Sequence, residues 1–132
     1  MAITRMARRL RQASGTGGEI SPTLAAALAT IEREGPLTPS ALAEHERIQR
    51  PTATRVVARL DEMGLVTRTP DPSDARASHV ALTRTGATLL KRIRTRKNEY
   101  LARRLRELTP AEQATLAEAA AILERLLERS ER

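Results

Sequence analysis

The fold of this chain is decided by the stretch Leu37-Thr-Pro-Ser-Ala-Leu-Ala-Glu-His-Glu-Arg-Ile-Gln-Arg-Pro-Thr-Ala-Thr-Arg-Val-Val-Ala-Arg-Leu-Asp-Glu-Met-Gly-Leu-Val66. Thr38-Pro39 is a typical helix start, because the threonine can cap the first turn and the proline has no N–H to satisfy. A short helix is therefore predicted over residues 39–46. A second helix is predicted from Pro51 to Gly64, where glycine suits a left-handed C-cap. The stretch thus predicts two helices joined by a tight turn.

The second helix has two chemically different faces. At about 100° per residue, its apolar side chains point one way and would pack on the first helix through Leu42, Ala43 and Ile48. The inward set is Ala53, Val56, Val57, Leu60, Met63 and Gly64. The outward set is Pro51, Thr54, Arg55 and Ala58, with Thr52 and Arg59 at its edge.

A β-hairpin is predicted after the second helix. Residues 65–69 and 78–82 are rich in Val, Thr and Leu, and the link between them contains Asp71-Pro-Ser-Asp-Ala-Arg76, whose prolines and aspartates fit turns. Alternation predicts Val80 and Leu82 against the helices, with His79 and Ala81 towards solvent. Two helices followed by such a hairpin form a winged helix-turn-helix, which places one helix in the major groove of DNA.

The outward face of the second helix has the chemistry of a groove reader. Arg55 can fork onto a guanine edge, and Thr52 and Thr54 offer hydroxyl and methyl groups. Asp61 and Glu62 lie at the C-terminal end, where phosphates would repel them. The N-terminal half is therefore expected to enter the groove, with the positive helix terminus towards the DNA backbone. The simpler alternative is an ordinary amphipathic helix with its arginines in solvent.

The remaining chain is predicted to be helical. One helix should run from Ile3 to the breaker Ser14-Gly-Thr-Gly-Gly18, and others over residues 22–34, 83–107 and from 110 onwards. Ser21-Pro22 and Thr109-Pro110 repeat the capping pattern, and Glu112 completes a capping box. The predicted fold class is mainly α with a small β-hairpin. Residues 21–83 would form the DNA-binding region, and residues 1–20 and 84–132 a helical dimerisation region.

Dimerisation is predicted because the terminal helices carry wide apolar stripes with no second layer to cover them within one chain. The long helix is basic, with nine Lys or Arg over residues 84–106, while residues 107–132 hold six acids. We expect these two helices to pair within a chain or across the dimer. A chain truncated after Leu108 should then be monomeric.

Composition limits the function classes. The 132 residues suit a single domain, and the net charge of +7 favours a polyanionic partner. Because the chain has no cysteine, disulfides, thiolate metal sites and cysteine redox chemistry are excluded. Arginines interrupt the first twelve residues and no long apolar run follows, so neither a signal peptide nor a membrane span is expected. We expect a cytoplasmic protein without a membrane partner.

No enzyme or metal site is predicted. His45 and His79 are the only histidines, and neither has further ligands at a workable spacing. The serines lack a nucleophile-elbow or P-loop setting, and no acid/base constellation stands out. No cofactor is expected.

The sequence resembles the MarR family of bacterial transcriptional regulators. The resemblance is carried by Leu42-Ala43, by Pro51-Thr-Ala-Thr-Arg55, by residues 60–68, by the tip 71–76 and by Val80-Ala-Leu-Thr-Arg-Thr-Gly86. The resemblance covers residues 21–108. Beyond these residues, the chain is similar to the family only in its length and in the arrangement of its helices. The resemblance implies a homodimer with interlocking terminal helices, and a small-molecule ligand that controls operator affinity from a pocket that the sequence does not locate.

The resemblance also implies roles for the hairpin tip. Arg76 would enter the minor groove, most strongly where A·T pairs narrow it, and Asp74 would help to hold the arginine in place. Ser73 departs from the family, since many members carry an arginine there, and this departure implies a weaker or smaller contact of the wing with the minor groove.

We therefore predict a homodimeric, sequence-specific regulator of transcription that binds double-stranded DNA at a pseudo-palindromic operator. Repression is favoured over activation, which stays open as the alternative. Two other functions share the charge and the fold: a sequence-independent, chromosome-organising nucleic-acid binder, and a protein-interaction scaffold. The predicted DNA-binding residues are Thr38, Ser40, Arg50, Pro51, Thr52, Thr54, Arg55, Arg59, Ser73, Asp74 and Arg76.

Overall fold

The structure is a computed structural model that describes residues 1–13, 19–74 and 76–130. The predicted breaker over residues 14–18 and the tip residue Ala75 lie outside the described residues. The chain divides into two compact units, Met1–Lys97 and Asn98–Arg132, which are described in turn.

Within the described residues, the first unit contains six elements and most of a seventh. They are the helices α1 (Ala2–Ala13), α2 (Pro22–Glu34), α3 (Pro39–Glu46) and α4 (Arg50–Glu62), the strands β1 (Val66–Pro70) and β2 (Ser78–Leu82), and the start of α5 (Arg84–Leu105). The second unit contains the end of α5 and α6 (Pro110–Ser130). The predicted mainly helical fold with one hairpin is confirmed.

The three helix starts predicted from Ser-Pro and Thr-Pro are confirmed. Ser21 Oγ accepts the Leu24 N–H at 3.2 Å, and Thr38 Oγ1 accepts the Ala41 N–H at 3.1 Å. At the start of α6, Thr109 and Glu112 bond reciprocally at 3.2 and 3.0 Å, which is the predicted capping box.

Element boundaries differ from the predictions by one or two residues. Helix α4 begins at Arg50 rather than Pro51 and ends at Glu62, two residues before the predicted stop. Gly64 does adopt the predicted left-handed conformation, with φ at 71°. It is exposed rather than inward-facing, because the chain has already left the helix. Strand β1 starts at Val66 rather than residue 65, and α5 spans Arg84–Leu105 instead of residues 83–107.

The turn between α3 and α4 uses a residue that the sequence did not mark. Arg47 takes a left-handed conformation with φ at 54° and caps α3, where its N–H bonds to Glu44 O at 3.3 Å. The next N–H, of Ile48, bonds to Ala43 O at 3.0 Å. This local reversal lets α4 pack across α3 after only a few connecting residues.

The two strands pair antiparallel, with Val66 opposite Leu82 and Pro70 opposite Ser78. Leu37 adds an isolated bridge that the sequence analysis did not predict. Its N–H and C=O bond to Val80 at 3.1 and 2.8 Å. The segment before α3 is thereby fixed to β2, so the helix-turn-helix and the hairpin share one framework.

A single aliphatic core holds the first unit together. It contains the predicted inward residues Val56, Val57 and Leu60 of α4, with Leu42 of α3 and Val80 of β2 beneath them. The other core residues are Ile20, Ala27, Leu28, Ile31, Leu37, Leu65, Val66, Leu89, Leu90 and Ile93. No described helix combines the length and apolar composition that a membrane span requires.

Candidate nucleic-acid interface

Helix α4 presents the polar face that the sequence predicted. Thr54, Arg55 and Pro51 are exposed, whereas Ala53, Val56, Val57 and Leu60 are buried. Thr52 and Ala58 are half-buried at the border between the two faces. Burial of the opposite side therefore leaves Arg55 directed away from the protein.

The exposed side chains of α4 make few hydrogen bonds within the protein. Arg55 Nη2 lies 3.5 Å from Thr52 Oγ1, the outer limit of a hydrogen bond, and Thr54 Oγ1 donates to the Arg50 carbonyl at 3.0 Å. The guanidinium group of Arg55 therefore keeps most of its donors for an external acceptor.

The start of α4 differs from those of α2, α3 and α6. Its N-cap is Gln49, whose side chain makes no capping hydrogen bond, and Pro51 occupies the first turn. The N–H groups of this turn are thus not covered by a cap side chain, and they carry the positive end of the helix dipole. Such a terminus favours an anionic group such as a phosphate.

The two acids at the other end of α4 are both paired. Asp61 Oδ2 accepts Arg68 Nη2 at 2.8 Å, and Glu62 Oε2 accepts Arg59 Nη1 at 3.2 Å. Arg59, a predicted DNA contact, is therefore already ion-paired with Glu62 in the free chain. Because these pairs are largely exposed, they contribute little to stability, but they offset negative charge on this side of the helix.

Of the two predicted contact residues at the start of α3, Thr38 has a structural role in the free chain. Thr38 Oγ1 is the N-cap acceptor described above, and Thr38 and Ser40 are both half-buried. Arg50, at the start of α4, is exposed.

The wing, defined as β1, β2 and the tip between them, is built around Asp71. Its Oδ1 accepts the Ser73 N–H at 2.8 Å and the Ser73 hydroxyl at 2.7 Å, and its Oδ2 lies 2.9 Å from His79 Nε2. Hydrogen bonds from the Ser73 hydroxyl and N–H, followed by that from His79, hold the pKa of Asp71 well below its ordinary value. The hydroxyl of Ser73, a predicted DNA contact, thus already has an acceptor within the tip.

Arg76 is exposed and has no ion-pair partner among residues 1–13, 19–74 and 76–130. Asp74 Oδ1 accepts its backbone N–H at 3.0 Å. Asp74 therefore restrains the backbone of Arg76 and leaves the guanidinium group available.

Sequence reasoning missed the roles of Asp71, His79 and Arg68. The order Asp71-Pro72-Ser73 is a signal for a side-chain-to-backbone turn and could have identified the Ser73 contact. The contacts of His79 and Arg68 depend on the hairpin register and on how the hairpin packs beside α4, which no local motif encodes.

Basic residues of α5 have partners that the sequence analysis did not foresee. Glu19 pairs with Arg92 at 3.3 Å and with Arg96 at 3.4 Å, and Glu32 pairs with Arg94 at 2.6 Å. In the parts of the chain that the structure describes, no group of three or more His, Cys, Asp or Glu side chains is arranged to hold a metal ion.

Comparison with known proteins identifies the family. A family model described as the MarR family matches residues 20–78. An HTH-type transcriptional regulator of Mycobacterium tuberculosis is 38% identical over 130 residues, covering 98% of this chain and 90% of that protein. A putative transcriptional regulator of Pseudomonas aeruginosa has a similar structure, with a TM-score of 0.83, 31% identity, and coverage of 96% of this chain and 88% of that one.

A mutant MepR of S. aureus, solved bound to an oligodeoxyribonucleotide, also shares the fold. Its TM-score is 0.72 at 20% identity, over 96% of this chain and 93% of that one. The resemblance seen in the sequence is confirmed: the chain belongs to the MarR family of transcriptional regulators.

Proposed function

We propose that the protein is a homodimeric, sequence-specific DNA-binding repressor that recognises a pseudo-palindromic operator. The observation that carries this proposal is the exposed face of α4, where Thr54 and Arg55 lie opposite a fully packed apolar side. A polar, donor-rich helix face on a rigid core is what direct readout of base edges requires.

The proposed contact surface has two parts. Helix α4, entering the major groove by its uncapped N-terminus, would read bases through Arg55 and Thr52 and contact phosphates through Arg50. The wing would place Arg76 in the adjacent minor groove, where a narrow A·T-rich segment attracts a cation most strongly. The bound oligodeoxyribonucleotide of the MepR neighbour supports DNA as the partner.

Dimerisation is proposed from the second unit. Helix α6 exposes large apolar side chains, with Leu116 49% exposed, Leu123 42% and Leu127 68%. An apolar surface of this kind in a short helical unit is explained by burial against a second copy. Two-fold symmetry would then present two copies of α4 to half-sites about 10 bp apart.

Repression is proposed because occupancy of a promoter is sufficient to block it.

Small-molecule control is the last part of the proposal. An open surface groove of about 340 Å³ on the first unit is lined by Pro22 and Ala26 of α2, Glu46 at the end of α3, and Val56 of α4. A ligand in this groove would contact α4 directly and change the operator affinity. The bulky variant Ala26→Phe should bind operator normally and lose the response to such a ligand.

The test of the proposed function is binding to duplex DNA from the chain's own upstream region and to a scrambled duplex at near-physiological salt. A sequence-specific regulator should prefer its site by about 10³-fold or more. Equal affinity for both duplexes would instead support the chromosome-organising alternative, and binding to neither would support a scaffold.

A further inference from the structure

We propose that His79 is a positioning residue for DNA binding, because its hydrogen bond to Asp71 holds the wing tip that carries Arg76. We further infer that the charge of the His79 imidazole sets how firmly the tip is held, so that the affinity of the wing for DNA depends on pH. This inference rests on the proposed function of the wing.

The hydrogen bond joins two parts of the hairpin that are otherwise separate. Asp71 is the first residue after β1, and His79 lies within β2, opposite Thr69. His79 Nε2 is 2.9 Å from Asp71 Oδ2, while Asp71 Oδ1 receives both donors of Ser73. The two carboxylate oxygens of Asp71 therefore act separately, since one shapes the tip and the other fixes the tip to the strand.

A path of hydrogen bonds leads from Asp71 to Arg76. The Asp71 carbonyl accepts the Asp74 N–H at 3.3 Å, and the Asp74 carboxylate accepts the Arg76 N–H at 3.0 Å. The Asp71 N–H bonds to the Ala77 carbonyl at 3.1 Å, which closes the tip. Displacement of the Asp71 side chain would therefore be passed to the backbone that directs Arg76.

Histidine is the side-chain type whose ordinary pKa lies near neutral pH. The pKa of Asp71 is held far below its ordinary range, first by Ser73 and then by His79. Its carboxylate therefore stays ionised between about pH 5 and 8, the range in which a histidine side chain changes its charge. A neutral imidazole donates an ordinary hydrogen bond, whereas an imidazolium donates a charge-assisted bond that is about twice as strong.

The other charged groups around the hairpin have different partners. Arg68 stands opposite Val80, so its side chain leaves β1 on the face opposite to His79, and it pairs with Asp61 of α4. In α2 and α3, which pack on the Val80 side, Glu32 pairs with Arg94 and Glu46 accepts the Thr30 hydroxyl.

The remaining charged groups of α2 and α3 are Arg33 and Glu34, which pair with each other, and the exposed Glu44 and His45. At the tip, Asp74 and Arg76 are joined through the backbone of Arg76. Within the described residues, Asp71 is thus the charged group paired with His79.

The role of the Asp71–His79 hydrogen bond can be tested first on the free protein. We would measure hydrogen exchange of the Ser73 amide by NMR between pH 8 and 6, corrected for intrinsic exchange, in the wild type, His79→Gln and His45→Gln. His45, the other histidine, is exposed on α3 and serves as a matched control. Protection should rise about three- to tenfold on acidification in the wild type and in His45→Gln, and stay flat in His79→Gln.

The second measurement is operator affinity over the same pH range, with circular dichroism as a check of folding. Wild type and His45→Gln should bind the upstream duplex about three- to tenfold more tightly at pH 6 than at pH 8, whereas His79→Gln should not. Asp71→Asn separates positioning from charge, because it keeps the imidazole of His79 and removes its ionised partner. If positioning is the cause, its profile is flat.

A pH profile that survives in His79→Gln or in Asp71→Asn would overturn the inference. Failure of the wild type to prefer its upstream duplex at any pH would instead count against the proposed function. In that case the Ser73 amide measurement still decides whether His79 holds the tip.

Discussion

Asp61 and Arg68 join the last turn of α4 to β1 of the wing: Arg68 Nε and Nη2 lie 3.1 and 2.8 Å from the same Asp61 oxygen. The pair fixes the helix that would read bases relative to the hairpin that would contact the minor groove. It also neutralises an acid that would otherwise face DNA phosphates.

Replacing Asp61 by Asn should affect DNA binding more than stability. With side chains 39% and 43% exposed, the pair contributes at most about 1 kcal/mol to the free energy of unfolding. Loss of the carboxylate frees Arg68, so affinity for any duplex should rise and the slope of log affinity against log salt should steepen by about one. Salt titration of binding measures this, with Glu44→Gln on α3 as the control. Unchanged affinity and slope would place Asp61 outside the reach of the DNA.

Arg55→Ala and Arg76→Ala should weaken binding in different ways. Loss of a base-reading arginine costs about 1 to 3 kcal/mol and relaxes base preference, whereas loss of the minor-groove arginine weakens binding more evenly across sequences. Competition with operator and scrambled duplexes distinguishes the two. Arg33→Ala, an exposed arginine at the end of α2, controls for charge. If both variants lose equally on all sequences, Arg55 does not read bases.

If the chain dimerises through α6, as proposed, Leu123→Lys should be monomeric and still folded. Leu123 is 42% exposed in the single chain, so the lysine is tolerated there, but a charge buried between two copies of α6 would be costly. Sedimentation at micromolar concentration measures the change. Glu124→Lys, on the neighbouring exposed position, should stay dimeric. A dimeric Leu123→Lys protein would show that this part of α6 is not the interface.

Gly86→Ala should destabilise the first unit by about 1 to 3 kcal/mol or more. Gly86 is buried at the start of α5, and a Cβ there would lie 2.2 Å from the Leu65 carbonyl oxygen and 2.8 Å from Leu82 Cδ1. Because the first obstacle is backbone, it cannot move aside by changing a rotamer. Urea unfolding measures the effect. Thr88→Ala, exposed one half-turn later, should change stability by no more than about 0.5 kcal/mol.

The capping box of α6 should make stability sensitive to acid. Hydrogen bonds from the Thr109 backbone N–H, and then its side chain, lower the pKa of Glu112. A carboxyl whose pKa is lower in the folded state stabilises the fold fully above its unfolded pKa of about 4.3, and this contribution is lost as the pH falls through the folded pKa. Unfolding followed by circular dichroism between pH 6 and 3 measures how much unfolding free energy is lost on acidification, which we call the acid loss. The acid loss should be smaller in Glu112→Gln than in the wild type.

Two further variants complete this test. Glu118→Gln, in the middle of α6, should retain the acid loss of the wild type. Thr109→Ala should cost about 1 kcal/mol even at neutral pH, because it removes the N-cap acceptor. An acid loss in Glu112→Gln equal to that of the wild type would contradict the role of the capping box.

Local signals in the sequence predicted the helices of this protein well. The three Ser-Pro or Thr-Pro starts, the glycine after α4 and the capping box are each encoded within a few residues, and each is present in the structure. The division of α4 into an apolar and a polar face was also predicted, because a period near 3.6 residues repeats over three turns. The predicted boundaries differ from the observed ones by one or two residues, since the ends of a helix depend on competing bonds from the residues that follow.

The sequence by itself determined which face of α4 is buried, where most helices begin, and the family to which the chain belongs. Only the tertiary structure decided that Leu37 pairs with Val80, that Arg68 joins Asp61, and that His79 reaches Asp71. The physical reason is the separation along the sequence over which each interaction acts. Capping and amphipathic periodicity act between residues a few positions apart, whereas these three contacts exist only after the hairpin has found its register and packed on the helices.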